Sequence, residues 1–238
     1  MGPGEVTSAK ILDGLFRDLQ SDASILDVGC IGFHQYKRSQ LLGFKSHHHY
    51  GVDYASPSGD LPPAFVFKHA DLNKDPMPFE DDFFDLIIAS HIIEHLANPI
   101  EFFAECARVC KPGGVIYFEA PSERSLMIPG MPFRFERFYS TSYFDDPTHM
   151  FRPWTPQAFY RLTKYFGCEP LRTGYYTSTK VRLLFPLLLS YALITRNPGR
   201  LENWVWRAFG WACYLVVQKP KEMRGKPVFE YFYPEGRT

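Results

Sequence analysis

The amino-acid sequence predicts an α/β protein whose helices cover both faces of a doubly wound, mostly parallel β-sheet. Short apolar runs alternate with amphipathic segments from about residue 8 to residue 120, which is the pattern of repeated strand–helix–strand units. The run 84–90 is apolar almost throughout, as expected for a central parallel strand buried on both faces. The run 25–28 leads into Gly29 and Gly32, and open sheets of this kind bind ligands where a strand ends in such a turn.

Apolar spacing and capping residues divide the first half of the chain into elements. Five apolar residues share one face at helical spacing between Ser8 and Gln20, which predicts a surface helix. Asn98, Pro99 and Glu101 form the N-terminal signature of a later helix. The predicted elements are a helix over 8–20, a strand over 25–28, a helix over 35–42, strands over 50–53, 64–72 and 84–90, a helix over 99–110 and a strand over 115–120.

The second half of the chain begins with a long connection over 122–153, whose many aromatic residues predict a lid. Thr155 and Pro156 cap a helix that ends near residue 166. The segment 181–194 is apolar, too short to span a bilayer, and broken by Pro186. The other predicted elements are a strand over 168–179, a helix over 202–210, an antiparallel strand over 211–218 at the edge of the sheet, and an extended tail over 219–238.

Composition narrows the classes of partner and compartment. Lys plus Arg equals Asp plus Glu at 26 each, so no overall positive field favours a nucleic-acid partner. The five cysteines include no C-x-x-C pair, which is typical of reduced thiols in a cytosolic protein. The first residues lack the basic and apolar regions of a signal peptide. We therefore expect one cytoplasmic domain that does not bind nucleic acid.

Acidic residues follow the glycine turn at spacings that suit a nucleoside. Asp53 ends the second predicted strand, 21 residues after Gly32, where a carboxylate can accept both hydroxyls of a ribose. It can also simply begin the proline-rich loop that follows. Asp71, at the end of the third strand, can accept a hydrogen bond from an adenine amine or cap the next turn, and both roles stay open. The dinucleotide fingerprint is absent, because two residues separate Gly29 from Gly32.

Two histidine-rich stretches raise the question of a metal ion. The run 47–49 is three consecutive histidines, and successive side chains of a regular element cannot converge on one ion, so we predict a solvated loop. Residues 91–95 match the zinc-binding pattern H-x-x-E-H, but they follow a buried strand and no further ligand is evident. We therefore predict no metal site, and we expect His91 to line the ligand crevice as a neutral imidazole.

Five sequence motifs occur in a fixed order along the chain. They are the runs 25–32, 51–53, 71–72, 84–96 and 108–114. In this order they resemble the motifs of class I S-adenosylmethionine-dependent methyltransferases, specifically the small-molecule branch related to the ubiquinone and menaquinone methyltransferases. The resemblance covers about residues 20–170 and implies a Rossmann-like sheet of seven strands with an antiparallel last strand. It implies one methyltransferase domain over 1–238 that carries inserts at about 122–153 and 180–210 and an extension over 219–238.

The resemblance also implies S-adenosylmethionine as the cofactor and assigns a part of it to each motif. The implied cofactor-binding residues are Asp27, Gly29, Cys30 and Gly32 around the amino-acid end, Asp53 and Tyr54 at the ribose, Asp71 and Leu72 at the adenine, and Ser90 and His91 beside the sulfonium. The chain departs from the family at Ile31, where a glycine is usual. Because a β-branched residue resists positive φ, we expect the turn to follow another path.

The sequence thus predicts an enzyme that methylates a hydroxyl of a small molecule or glycan, including one linked to a lipid. The alternative, motivated by Ile31, is a binding or regulatory protein on the same fold without turnover. A nicotinamide-dependent dehydrogenase ranks third, because the fingerprint glycines are missing.

His149 is the candidate general base for methyl transfer. It lies in the segment 145–154, which resembles a segment of many bacterial members of the family, and imidazole has a pKa that suits proton removal near neutral pH. The same side chain can instead lock the lid by hydrogen bonding. Asp145, Asp146 and Glu119 are the other candidates for the base.

The apolar segment 181–195 has three alternative roles. It can cover the acceptor pocket, form a homodimer contact, or lie on a membrane beside a lipid-linked acceptor. The expected location is the cytoplasm, with peripheral attachment at the inner membrane face under the third role.

Overall fold

A computed structural model describes residues 5–57, 59–133 and 139–221. Its main elements are seven strands and six helices within those residues. The strands are β1 (Ser24–Val28), β2 (His48–Asp53), β3 (Phe65–His69), β4 (Phe84–Ser90), β5 (Cys110–Pro121), β6 (Glu169–Tyr175) and β7 (Ala212–Gln218). The helices are α1 (Ser8–Asp18), α2 (His34–Leu41), α3 (Pro99–Val109), α4 (Pro156–Tyr165), α5 (Thr179–Thr195) and α6 (Pro198–Phe209).

The strands form one sheet in the order β3-β2-β1-β4-β5-β7-β6. The first five are parallel, and β7 is antiparallel to both of its neighbours. This confirms the predicted doubly wound sheet with an antiparallel last strand. The predicted position of that strand at the sheet edge is wrong, because β6 forms the edge and β7 lies inside. Six of the seven residues of β7 are buried, as is typical of an inner strand that is covered on both faces.

Helices pack on both faces of the sheet, as predicted. On one face, the apolar side of α1 packs with Ile25, Ile88 and Tyr117. On the other face, α3 and α4 contribute Phe103 and Phe159, which stack against Phe118 of β5 in a larger cluster. Alternate residues of β4 and β5 therefore enter different cores, and the central strands are buried on both sides.

Side-chain caps explain where several helices begin. Thr7 accepts a hydrogen bond from the Lys10 N–H at the start of α1. Asn98 caps α3 and Thr155 caps α4, and each is followed by proline at the first helical position. Proline suits that position because its missing N–H would have no partner within the helix. These caps confirm the predicted helix starts.

The histidine run 47–49 is not the solvated loop that the sequence predicts. His48 and His49 belong to β2, and the side chains of His47 and His49 are buried. His47 stacks on Phe44, and His49 meets Tyr36 edge to face. Burial lowers the pKa of His49 to about 4, so this imidazole is neutral and acts as a packing residue.

Other predicted boundaries shift at prolines and glycines. Pro186 lies inside α5, so the expected break of the apolar segment does not occur. Strand β5 begins at Cys110, ahead of the predicted start, with a register shift opposite β4 between Phe84 and Leu86.

Parts of the predicted lid and tail, residues 134–138 and 222–238, lie outside the described residues. Within the described chain, no helix is both long and apolar enough to cross a bilayer.

Candidate functional site

A crevice of about 510 Å³ opens at the carboxyl ends of β1, β2 and β4. The strand order reverses between β1 and β4, and such a switch point is where open α/β sheets bind their ligands. The lining residues are Val28, Gly29, Val52, Asp53, Tyr54, Ala70, Asp71, Leu72, Asn73, His91, Ile92, His95, Leu96, Thr148 and Met150. The crevice thus includes six of the ten predicted cofactor-binding residues, whereas Asp27, Cys30, Gly32 and Ser90 are not among the residues that line it.

The turn after β1 depends on glycine at position 29. Gly29 has a φ of +77°, and a Cβ at this position would lie 2.1 Å from Cδ1 of Ile92. Its N–H donates to the Val52 carbonyl at 2.9 Å, which holds the turn against β2. Ile31 is absent from the residues with positive φ, and the left-handed steps fall on Gly32 and Phe33 instead. Ile31 thus avoids positive φ, as a β-branched residue prefers, and the positive φ values of this turn lie at the residues around it.

Asp27 and Cys30 support the turn from inside the protein. The Asp27 carboxylate is buried, and the Gln35 backbone N–H donates to it; burial and the nearby charge of Asp53 nevertheless raise its pKa well above the ordinary value. The Cys30 side chain packs against Phe33 in a small apolar cluster. Burial raises the pKa of the Cys30 thiol to about 12, so this cysteine is an inert packing residue.

Two carboxylates from neighbouring strand ends face the crevice. Asp53 accepts the Ala55 N–H on Oδ1 at 2.9 Å, which leaves Oδ2 for a ligand. Asp71 accepts the Asn73 N–H at 3.1 Å and pairs with Lys74 at 2.7 Å. The hydrogen bond from Lys74 lowers the pKa of Asp71. Asp71 therefore caps its turn and also lines the crevice, so the capping role does not remove its carboxylate from the crevice.

His91 lies between two buried carboxylates. Its Nδ1 is 3.1 Å from Glu94 Oε1, and its Nε2 is 3.4 Å from Glu119 Oε1. Burial works against a charged imidazole, but hydrogen bonds to Glu119 and Glu94 outweigh it and raise the pKa of His91 to about 10. The side chain is thus an imidazolium at neutral pH, in contrast to the neutral imidazole that we expected.

Glu119 is the centre of a hydrogen-bond network behind the crevice. Its Oε2 accepts from Ser8 at 2.8 Å, from Ser90 at 3.1 Å and from Tyr117 at 2.7 Å. Burial disfavours the charged form of Glu119, but its pKa is still lower than usual, and the hydrogen bond from His91 is the largest effect in that direction. The Ser90 hydroxyl therefore points to Glu119.

The segment 148–151 is fastened to the turn that follows β4. The Met150 and Phe151 N–H groups donate to the Glu94 carbonyl at 2.9 and 3.1 Å, which brings Thr148 and Met150 into the crevice wall. Sequence reasoning missed these residues, together with His95 and Asn73. The signals were present in the H-x-x-E-H pattern and in the segment before Pro153, but neither indicates that the two stretches meet.

His149 stands directly behind this wall. Its Nδ1–H donates to the Tyr143 carbonyl at 2.8 Å, its ring stacks on the Tyr143 ring, and its side chain is only 5% exposed. The His149 ring is 5.0 Å from the ring of His95, which does line the crevice. Asp146 lies 3.7 Å from His149 Nε2. Asp145 instead accepts backbone N–H groups of the lid, such as that of Thr141 at 2.8 Å.

A second cavity, of about 590 Å³, lies between the lid and the helices α5 and α6. Its lining is mostly apolar: Arg124, Met127, Ile128, Pro129, Gly130, Pro132, Thr141, Phe185, Leu189, Leu201, Val205 and Phe209. Helix α6 contacts both sites: Val205 lines the cavity, and the next residue, Trp206, contacts His91 of the crevice with ring centroids 5.6 Å apart.

The strand order, the glycine turn and the acidic residues of the crevice are those of the class I S-adenosylmethionine-dependent methyltransferases. Over residues 26–118 the chain matches the family described as a methyltransferase domain, which supports the class that the sequence motifs predict.

Individual known proteins are similar to this chain. A ubiquinone biosynthesis O-methyltransferase from Maricaulis maris is 31% identical over 107 residues, which make up 39% of this chain and 38% of that protein. A SAM-dependent methyltransferase from Archaeoglobus fulgidus has a TM-score of 0.55 at 18% identity, over 89% of this chain and 95% of that chain. Phosphoethanolamine N-methyltransferase 2 from Haemonchus contortus, solved with S-adenosyl-L-methionine, has a TM-score of 0.58 at 16% identity, over 89% and 52% of the two chains. These two structures share the fold.

Proposed function

We propose that the protein transfers a methyl group from S-adenosylmethionine to a hydroxyl oxygen of a small molecule or glycan. The crevice at the β1–β4 switch point carries this proposal, because Asp53 and Asp71 present carboxylates there from neighbouring strands. Its volume of about 510 Å³ lies within the usual ~300–1,000 Å³ of small-molecule sites. The similar protein from Maricaulis maris is an O-methyltransferase, which favours oxygen as the accepting atom.

Residues of the crevice suit the ribose and the adenine of this cofactor. Asp53 keeps one carboxylate oxygen for the ribose hydroxyls, since only Oδ1 is used by Ala55. Leu72 offers an apolar contact for the adenine beside Asp71. When bound, S-adenosylmethionine supplies a methyl group that is already activated on a sulfonium sulfur. The protein then has to align the acceptor, exclude water and accept one proton from the acceptor hydroxyl.

His149 is the proposed proton acceptor, because Nε2 of its imidazole carries the lone pair when Nδ1–H donates to the Tyr143 carbonyl. The rings of His149 and His95 are 5.0 Å apart, and His95 faces the crevice where an acceptor would bind. Changing His149 to Ala is expected to leave cofactor binding intact and to reduce turnover by about 10²–10⁴-fold, the usual contribution of a general base. Equal turnover of variant and parent protein would exclude this role.

The second cavity supports an acceptor with an apolar part. Its lining is almost entirely apolar, and helix α6, which contributes to this lining, also contacts His91 of the crevice. An acceptor whose hydroxyl-bearing head reaches the crevice could bury its tail between α5 and α6. A lipid-linked small molecule or glycan has this chemistry.

Helix α5 supports peripheral attachment to a membrane surface. Leu183, Leu187 and Ile194 on this helix are 77%, 72% and 82% exposed, and large exposed apolar side chains in one patch mark interaction surfaces. Contact with a membrane would bring a lipid-linked acceptor to the adjacent cavity. A homodimer contact is the competing use of the same residues, and size-exclusion chromatography with light scattering distinguishes the two.

Calorimetric titration with S-adenosylmethionine, S-adenosylhomocysteine and, separately, NADH tests the cofactor. We expect micromolar binding of the two sulfur nucleosides and no binding of NADH. Transfer of a labelled methyl group is then measured with phenols that carry either a short or a long alkyl tail. Higher kcat/KM for the long tail supports the apolar cavity as its site, and failure of both sulfur nucleosides to bind would overturn the proposal.

A further inference from the structure

Three ligand-type side chains converge at the end of the crevice. Glu94, His95 and His149 each offer one nitrogen or oxygen atom, and these atoms all lie within 4.8 Å of one another. Glu94 and His95 lie in the turn after β4, whereas His149 comes from the lid. The backbone bonds from Met150 and Phe151 to the Glu94 carbonyl bring the two segments together.

Both imidazoles have their Nδ1 atoms occupied by backbone carbonyls. His149 Nδ1–H donates to the Tyr143 carbonyl at 2.8 Å, and His95 Nδ1–H donates to the Thr148 carbonyl at 3.2 Å. These bonds select the tautomer in which Nε2 carries the free lone pair. A histidine that binds a metal ion characteristically donates its other ring N–H to a carbonyl or carboxylate in this way.

Glu94 provides an independent observation that points to a missing partner. The residue is fully buried, and its Oε1 pairs with Nδ1 of His91 at 3.1 Å. Its Oε2 is also buried but has no hydrogen-bond partner. A buried carboxylate oxygen without a partner is costly, and a cation held by the two neighbouring imidazoles would satisfy it.

We propose that Glu94, His95 and His149 bind a divalent first-row transition metal ion such as Zn²⁺. Two imidazole nitrogens and one carboxylate oxygen are a donor set that suits this ion. Ligands at 2.0–2.1 Å from a tetrahedral ion are about 3.3 Å apart, so the three atoms need to approach by at most about 1.5 Å. Asp146, at 3.7 Å from His149 Nε2, adds a second negative charge that favours a cation.

Three protein ligands leave one position of a tetrahedral ion open, as in catalytic sites. Because His95 and Thr148 line the crevice, that position is accessible to a small molecule bound there. If the proposed methyl transfer holds, an acceptor hydroxyl bound to the ion would lose its proton to water more readily, and His149 would then serve as a ligand. If metal-free protein keeps full turnover, His149 acts directly as the base and not as a ligand of a catalytic ion.

Titration of chelator-treated, full-length protein with Co²⁺ tests the site without reference to activity. We expect one equivalent of Co²⁺ to give the visible absorption of a four- or five-coordinate ion, and Zn²⁺ to displace it. Glu94→Gln and His149→Ala are each expected to weaken binding by at least the ~10–100-fold that loss of an outer-shell partner costs. His48→Ala, at an exposed histidine of β2, is the control and should bind as the parent protein does.

Binding of S-adenosylhomocysteine to each variant reports whether the crevice remains folded. A Co²⁺ spectrum that survives both Glu94→Gln and His149→Ala, or the absence of a one-to-one site in the parent protein, would overturn the metal site. One-to-one binding that is lost in both variants and kept in His48→Ala would establish it. If no sulfur nucleoside binds while the metal does, the proposed function fails and the metal site stands.

Discussion

Replacing Asp53 with Ala should weaken S-adenosylmethionine binding by about 10–100-fold. The Asp53 carboxylate has one oxygen on the Ala55 N–H and the other available for a ribose hydroxyl. A hydrogen bond to a charged group contributes roughly 1.5–3 kcal/mol, and each 1.36 kcal/mol changes a binding constant tenfold. The loss of one such bond gives the stated range. Calorimetric titration with S-adenosylmethionine and S-adenosylhomocysteine measures the ratio of Kd values directly.

Two further variants separate ribose binding from support of the loop. Asp53→Asn can still accept the Ala55 N–H but lacks the charge, so its Kd should fall between those of the parent protein and Asp53→Ala. Asp60→Ala removes an exposed acid from the same loop and should bind like the parent protein. If Asp53→Ala keeps its melting temperature and binds within about twofold of the parent protein, the assignment of Asp53 to the ribose is wrong.

The remaining predictions concern stability and the membrane. Gly29→Ala should lower the free energy of urea unfolding by more than the ~1–2 kcal/mol that an alanine with left-handed backbone costs. The loss should also exceed that of Gly43→Ala, because Gly43 has positive φ but open space around it. Equal losses would contradict the contact with Ile92. The pKa of Asp27 in the folded protein is raised above its ordinary value of 3.8. Protonation of Asp27 therefore stabilises the folded protein below pH 3.8, and this stabilisation is lost as the pH rises through the raised pKa. Asp27→Asn should therefore be more stable than the parent protein at pH 7 and lose that advantage below pH 3.8, and a pH-independent difference would refute this cause. Changing Leu183 and Leu187 to Ser should reduce flotation with anionic liposomes, and unchanged flotation would exclude α5 as the contact.

The parallel half of the sheet can be predicted from the sequence, because each of its strands is marked by a local pattern of residues. The run Phe84–Ser90 coincides with β4, since a strand buried on both faces must be apolar along its length. Asp53 lies at the end of β2 and in the crevice wall, because strand ends and switch points follow from element order alone. These features need no knowledge of which distant segments touch.

The rest of the site depends on contacts that no local pattern specifies. The H-x-x-E-H stretch supplies Glu94 and His95, and only the fold shows that His149 of the lid lies beside them. The charge of His91 depends on Glu119, which faces it from the adjacent strand β5. The histidines 47 and 49 are buried because aromatic residues of α1, α2 and the following turn cover them. Phe16, Tyr36, Glu119 and His149 are each distant in sequence from the histidines that they contact, so spacing alone could not predict these environments.

The position of β7 has a consequence for how the chain is made. The five parallel strands end at Pro121, and the partner of β5 on its open side is Ala212–Gln218. While a ribosome synthesises the intervening residues, an apolar strand edge stays unpaired and can join another chain. A chain that stops before Ala212 would keep its cofactor residues and yet expose that edge. We expect such truncated chains to aggregate on synthesis. The last strand therefore determines how much folded protein is obtained, although it contributes no residue to the crevice.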